Sequence, residues 1–379
     1  MVESTKLSNT SRIELIAFVL PVIVVAGYSI GRGVGNVLLV FQLLFAIYYL
    51  WLKRCAIPSW SWVLVLYLLA PLPGLFYYGV HVAEGFWSWG RFVLTVCSVF
   101  FLSLCLNEKV IEDSRARKVF GFIFFLTLVY YGASAAFFFS MGGYKPAVQI
   151  SGLHVAALFS LGLIVTDGGF RRVVFIAVIA LVVLSVGDSR SEIMVLLASC
   201  FATLAYFYRR IIWIVAGIPA AFLLAFLYGA AWRNYSQLFS ADWNFLLNGL
   251  TGKRFELWEL CFVHPPNNML TGVGFGQSAH YFRQFGYVTH SFHNAFLETW
   301  YDGGWLWLSA LCLLVWVLIK SVVHNYYLLV GQQRWVYSCF FGGLFASVVA
   351  CSTDRGYITQ LFSVFLFYCL FVLRVYDRN

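Results

Sequence analysis

Apolar runs of roughly 20 residues recur along the chain, separated by short polar breaks, and this repetition limits the fold more than any single motif. A run of that length crosses the hydrocarbon core of a bilayer, about 30 Å thick, as an α-helix. A helix satisfies its own backbone polar groups where no water can. Of 379 residues, 61% are hydrophobic and 11% charged, too little polar surface to clothe a water-soluble globule. The expectation is an all-α, polytopic integral membrane protein with about twelve transmembrane helices. The spans are read near 13–30, 35–52, 59–78, 87–106, 118–140, 152–166, 171–187, 191–208, 211–232, 294–323, 335–352 and 357–374. The first dozen residues are polar and no A-x-A cleavage site follows, so the first span is expected to be retained rather than removed as a signal peptide.

Lysine and arginine in the connecting loops orient such a bundle. With the N-terminus inside, 16 of the 25 basic residues fall on one side and 9 on the other. The richer side is expected to be cytoplasmic, which places both termini there. The net charge of +9 is then a topology signal, and nucleic acid is not expected as a partner. The nine cysteines lie mostly in apolar runs and form no C-x-x-C pair, so neither a zinc site nor a disulfide framework is expected.

Most connections are short, including the charged "NEKVIEDSRARK". The exception runs from Arg233 to His293, and connections of that length are often functional. Three parts follow: an N-terminal bundle over 1–232, an external loop over 233–293 and C-terminal helices over 294–379. Within the loop, "RFELWELCFV" suits a short amphipathic helix with Arg254, Leu257, Trp258 and Cys261 on one face. The prolines of "HPPNN" stop it. Gly272, Gly274 and Gly276 shape a turn; without a preceding strand they are not a dinucleotide loop. The whole segment is expected to fold back over the membrane surface as a lid or cavity wall.

Ionisable groups near spans are costly and point to function. Arg190, in "VGDSRSEIM", sits between Asp188 and Glu192 at the start of a helix. It is either half of a local ion pair or an anion clamp backed by helix N–H groups. Arg254, in "TGKRFELWE", is either a solvated loop charge or a second arm of the same clamp. A guanidinium suits phosphate because its planar fork donates two bonds and keeps its charge. Arg91, in "WSWGRFVL", is placed to snorkel to the interface. Asp354 and Arg355, in "STDRGY", are either a local pair or part of a cavity lining.

The stretch "HSFHNAFLETWYDGG" gathers His290, His293, Glu298 and Asp302 at the start of a long apolar run. Together these residue types can ligate a metal. A proton carrier fits the histidines better, because a neutral imidazole accepts a proton near neutral pH and nearby arginines keep it uncharged, which leaves Glu298 and Asp302 as polar groups of a helix face. No D-x-D pair occurs, and arginines can neutralise a diphosphate leaving group in place of a metal.

"HNAFLETWYDGG" resembles the H-N-x-x-L-E…G signature of the bacterial O-antigen ligase superfamily. "SRSE" is similar to that family's external arginine turn, and "KRFELWE…TGVGFGQ" to its loop motif. The three lie in the family's order between about Asp188 and Gly304; the N-terminal half matches only as a helical bundle. The resemblance implies a periplasm-facing glycosyltransferase of the C class in the bacterial inner membrane. It would move O-antigen polysaccharide from undecaprenyl diphosphate to a sugar hydroxyl of lipid A-core, without metal or cofactor. By match to the motifs, His293 would be the base and Arg190 and Arg254 the diphosphate clamps. Arg91, His290, Asn294, Trp258, Asp354 and Arg355 would bind substrate or support those three. O-antigen polymerases and protein O-oligosaccharyltransferases share the layout, which leaves the acceptor open. A transporter of an anionic lipid, with arginines along its path and histidines coupling protons, is the alternative of another class.

Overall fold

Proline and glycine decide where the apolar runs break. A computed structural model describes residues 12–30, 32–53, 57–78, 81–105, 114–140, 159, 163–164, 169–186, 190–210, 217, 254–287, 292, 294–324 and 331–351. Among these residues all regular structure is helical, in the order α1 (Arg12–Ile30), α2 (Arg32–Lys53), α3 (Ser61–Leu69), α4 (Leu72–Tyr78), α5 (Val82–Cys105), α6 (Ser114–Ser140), α7 (Phe170–Val186), α8 (Arg190–Tyr208), α9 (Arg254–Val263), α10 (Ser278–Arg283), α11 (Ala295–His324) and α12 (Gly331–Cys351). By length and composition, three described stretches can cross a membrane: Gly33–Lys53, Val82–Leu104 and Ala295–Lys320. The expected runs at 152–166 and 211–232 lie almost wholly outside the described residues, and 357–374 wholly so.

Two expected spans are interrupted. The run at 59–78 divides into α3 and α4 around Ala70 and Pro71. Pro71 has no N–H for a helical bond and its ring crowds the preceding turn. The run at 294–323 is kinked inside α11 at Gly304, whose φ of 65° and ψ of −165° are not helical.

The bundle is held by close and specific contacts. α8 packs along α12, where Gly342 leaves room for Thr203 and the Ser199 carbonyl. Small residues at such crossings let backbones approach when lipid offers no hydrophobic drive for association. α1 pairs with α2, and α2 with α5. Lys53 at the end of α2 meets Glu14 in the first turn of α1 at 3.0 Å, so those two ends lie together. Gln42 donates to Ser98 at 2.7 Å in the buried α2–α5 seam.

A large apolar core fills the bundle, and a smaller one lies between residues 254–287 and the first half of α11. The smaller core contains Cys261, Val273, Tyr281, Phe282, Phe292, Trp300 and Tyr301. Phe275 joins the two parts. It leaves the glycine turn and is buried in the main core, 5.5 Å from the Phe92 ring and 5.2 Å from Trp307.

Candidate functional site

The kink in α11 receives the glycine turn. In an unbroken helix Trp305 and Leu306 would donate to Tyr301 and Asp302, four residues back. Here Trp305 donates to the Met269 carbonyl at 2.9 Å and Leu306 to Leu270 at 3.1 Å. The freed carbonyls of Tyr301 and Asp302 accept from Val273 at 3.0 Å and Gly274 at 2.8 Å. Four bonds between the turn and the helix take up these backbone groups. The approach is too close for side chains. A Cβ on Gly304 would strike the Leu270 and Thr271 backbone, and one on Gly74 of α4 would strike the Thr271 carbonyl.

Asp302 completes the junction. Its carboxylate is fully buried and accepts from the Gly276 N–H at 2.7 Å and the Ser278 N–H at 3.0 Å. The second bond also caps the start of α10, where a negative charge is favoured. Gln277 ties the turn to the start of α5: its Oε1 accepts from the His81 N–H at 2.9 Å, and its Nε2 donates to the His81 carbonyl at 3.3 Å. The His81 and His280 rings are 4.2 Å apart, and His280 Nε2 lies 3.5 Å from Glu84. Burial and the neighbouring His81 push His280 below its ordinary value, against the opposing pull of Glu84.

A second set of bonds fixes the backbone at Phe292 and Asn294. Glu298, 2% exposed, accepts the Phe292 N–H at 3.0 Å. The Trp258 indole donates to the Phe292 carbonyl at 2.9 Å, while the Phe292 ring is buried against Phe282 and Tyr301. Asn294 is the N-cap of α11, its Oδ1 accepting from Phe296 and Leu297 at 3.1 Å each. The residues before and after position 293 are therefore both held, one by side chains from α9 and α11, the other by its own cap.

The remaining sequence candidates divide as follows. Arg254 is the first residue of α9 and half-buried, with Leu257 and Trp258 half-buried and Cys261 buried on the same face, as the spacing predicts. Burial and nearby Glu298 push the Cys261 thiol well up, which makes it a packing group rather than a nucleophile. Arg190 is the first residue of α8. Arg91 is half-buried within α5, where its carbonyl accepts from Thr95. His290, His293, Asp354 and Arg355 lie outside the described residues. Gly272, Gly274 and Gly276 do shape the turn, with φ of 69°, 104° and 70°. Among the described residues no three His, Cys, Asp or Glu side chains are placed to hold a metal ion. Glu298 and Asp302, read from the sequence as polar groups of a helix face, are instead buried acceptors for loop backbone. Gln277 and Phe275, which fasten that loop, carried no signal beyond their place in a glycine turn.

Much of this arrangement falls within a stretch that resembles a known family. Residues 175–312 match the family described as O-antigen ligase. The match supports a member of the O-antigen ligase/polymerase superfamily. It takes in Arg190, Arg254, Trp258, His290, His293 and Asn294, together with the glycine turn and the kink; Arg91, Asp354 and Arg355 fall outside it. No curated protein matches the chain.

Proposed function

We propose that the chain is a membrane glycosyltransferase of the ligase type, moving O-antigen polysaccharide from undecaprenyl diphosphate to a sugar hydroxyl of lipid A-core at the periplasmic face of the inner membrane. The observation that carries the reading is the pinning of Phe292 and Asn294 by Trp258, Glu298 and the helix cap, inside the stretch that matches O-antigen ligase. A general base must be held to a fraction of an ångström to meet one hydroxyl. The bonds that hold Phe292 and Asn294 support a base between them. The twelve-span topology, with the 233–293 loop in the periplasm, completes the reading.

His293 is the base, and Arg190 and Arg254 are the arms that hold the donor diphosphate. The acceptor oxygen attacks the anomeric carbon and forms the new C–O bond. The bond from that carbon to the diphosphate breaks, and its electron pair leaves with the polyprenyl diphosphate. The acceptor proton passes to His293. A single displacement inverts the anomeric carbon. The arginines act most strongly as charge grows on the leaving diphosphate, so their attraction favours the transition state over bound donor.

Purified protein in proteoliposomes, given lipid-linked donor together with lipid A-core, a second repeat unit or a peptide, tests the reading. Transfer to lipid A-core, undiminished by chelator, is expected. Transfer to a second repeat unit identifies a polymerase, and transfer to peptide a protein glycosylator. Movement of donor across the bilayer without acceptor identifies a transporter, and loss of activity in chelator returns His290, His293, Glu298 and Asp302 to consideration as metal ligands.

A further inference from the structure

The exposed flank of α9 changes character along its axis. Glu256 and Glu259 are exposed in its first turns, whereas Phe262 and Val263, 67% and 59% exposed, stand out at its end. Positions 256, 259 and 263 are three and four residues apart and share a flank, as do 259 and 262. A surface helix normally separates polar from apolar residues around its circumference. This flank separates them end to end, so one end suits water and the other hydrocarbon.

Beyond α9 the chain turns through Pro265 and Pro266 and presents Met269 and Leu270, again exposed. The carbonyls of these two residues accept from Trp305 and Leu306, the first two residues after the kink of α11, which are exposed as well. From Trp305 to His324 the helix runs 20 residues, and 20 residues at 1.5 Å each extend about 30 Å, the thickness of the hydrocarbon core. Counted from the kink, the rest of α11 is therefore long enough to cross that core. Ring contacts continue across the kink: Phe262 stacks on Trp300 and Trp300 lies against Trp305, each pair 5.9 Å apart.

We infer that Phe262, Val263, Met269 and Leu270 form an apolar edge seated in the bilayer, in the leaflet on the side where residues 254–287 pack, with lipid acyl chains as its partner. The edge is continuous with the exposed apolar side chains of α11 at Trp305, Leu306 and Trp316, so the same medium covers both. Tryptophan at the junction suits the boundary between headgroups and hydrocarbon. Glu256 sits toward the other end of α9, and Glu259 comes one turn before Phe262. The inference rests on the reading of the chain as membrane-spanning and not on its transfer chemistry. Seated in this way, the segment holds α9 and its Arg254 at one depth beside the membrane.

The test is photolabelling of full-length protein in liposomes that contain a phospholipid with a diazirine on its acyl chain, followed by peptide mapping. Adducts are expected in 262–270 and on the exposed flank of α2 at Val37, Phe41 and Leu44, which serves as the reference. A variant with Phe262→Ser, Met269→Ser and Leu270→Ser is expected to lose the adducts at 262–270 and keep those on α2. Adducts on α2 with none at 262–270 in the unaltered protein would overturn the inference. The readout contains no transfer step, so it stands or fails independently of the transferase reading.

Discussion

At position 302 one carboxylate satisfies two backbone N–H groups of a turn that lies 24 to 26 residues earlier in the chain. Hydrogen bonds to a charged acceptor contribute about 1.5–3 kcal/mol, and leaving a buried donor unpaired costs about 1–3 kcal/mol. Asp302→Ala is therefore expected to lower the melting temperature of the detergent-solubilised protein clearly, and Asp302→Asn, which keeps one acceptor oxygen, to lower it less. Equal melting of Asp302→Ala and the parent protein would remove the junction from the account. Glu298 acts on the Phe292 N–H. Glu298→Gln retains an oxygen for that bond and is expected to keep most transfer, whereas Glu298→Ala lowers kcat with little change in KM. A rise in KM alone would assign Glu298 to substrate binding instead. Arg254→Lys keeps the charge and loses the fork; impaired transfer is expected, and full activity in the Arg190→Lys/Arg254→Lys double variant would contradict a bidentate clamp. Asn294 is singled out in the sequence only by its motif, although an Asn directly before an apolar helical pattern is also a local capping signal. The roles of Glu298 and Asp302 were not legible, since periodicity puts them on a helix face and says nothing of a distant loop that packs on it.

Among elements, the two interrupted helices differ in how far the sequence announces them. Pro71 and Pro73 mark the α3–α4 break by a local steric rule, although apolarity alone reads through them as one span. The α11 break depends on Gly304 together with the turn that replaces its lost helical bonds, and a Gly-Gly pair by itself does not call for a partner. The short helix α9, its stop before "HPP" and the glycine turn were legible, because each depends on neighbours in the chain. The contact of α10 with α5 was not. That contact also carries a pH dependence. His280 has a value lowered by burial and by His81, so the folded state favours its neutral form. Its contribution to stability is complete above the ordinary histidine value of about 6.5 and is lost as pH falls through the lowered one. Glu84 moderates the effect. Amide exchange across α10 is expected to quicken between pH 7.5 and pH 5 in the parent protein, beyond the intrinsic change with pH, and to lose that extra component in His280→Gln. An unchanged pH response in His280→Gln would place the sensitivity elsewhere.

Across the molecule, one broken helix organises the candidate site. Its first half is buried against residues 254–287 and carries the acids that fasten them, and its second half is apolar and long enough to enter a bilayer. The all-helical class and the apolar character were legible from run length alone, because lipid imposes that length. How those runs pack was not, since apolar faces look alike in sequence and the seams depend on small residues such as Gly342 and on single polar pairs such as Gln42 with Ser98. The most direct measurement compares the parent protein with His293→Ala in proteoliposomes supplied with lipid-linked polysaccharide and lipid A-core, following both glycosidic product and membrane insertion. The account predicts product from the parent protein and none from His293→Ala inserted to the same extent. Equal product from the two proteins would contradict it.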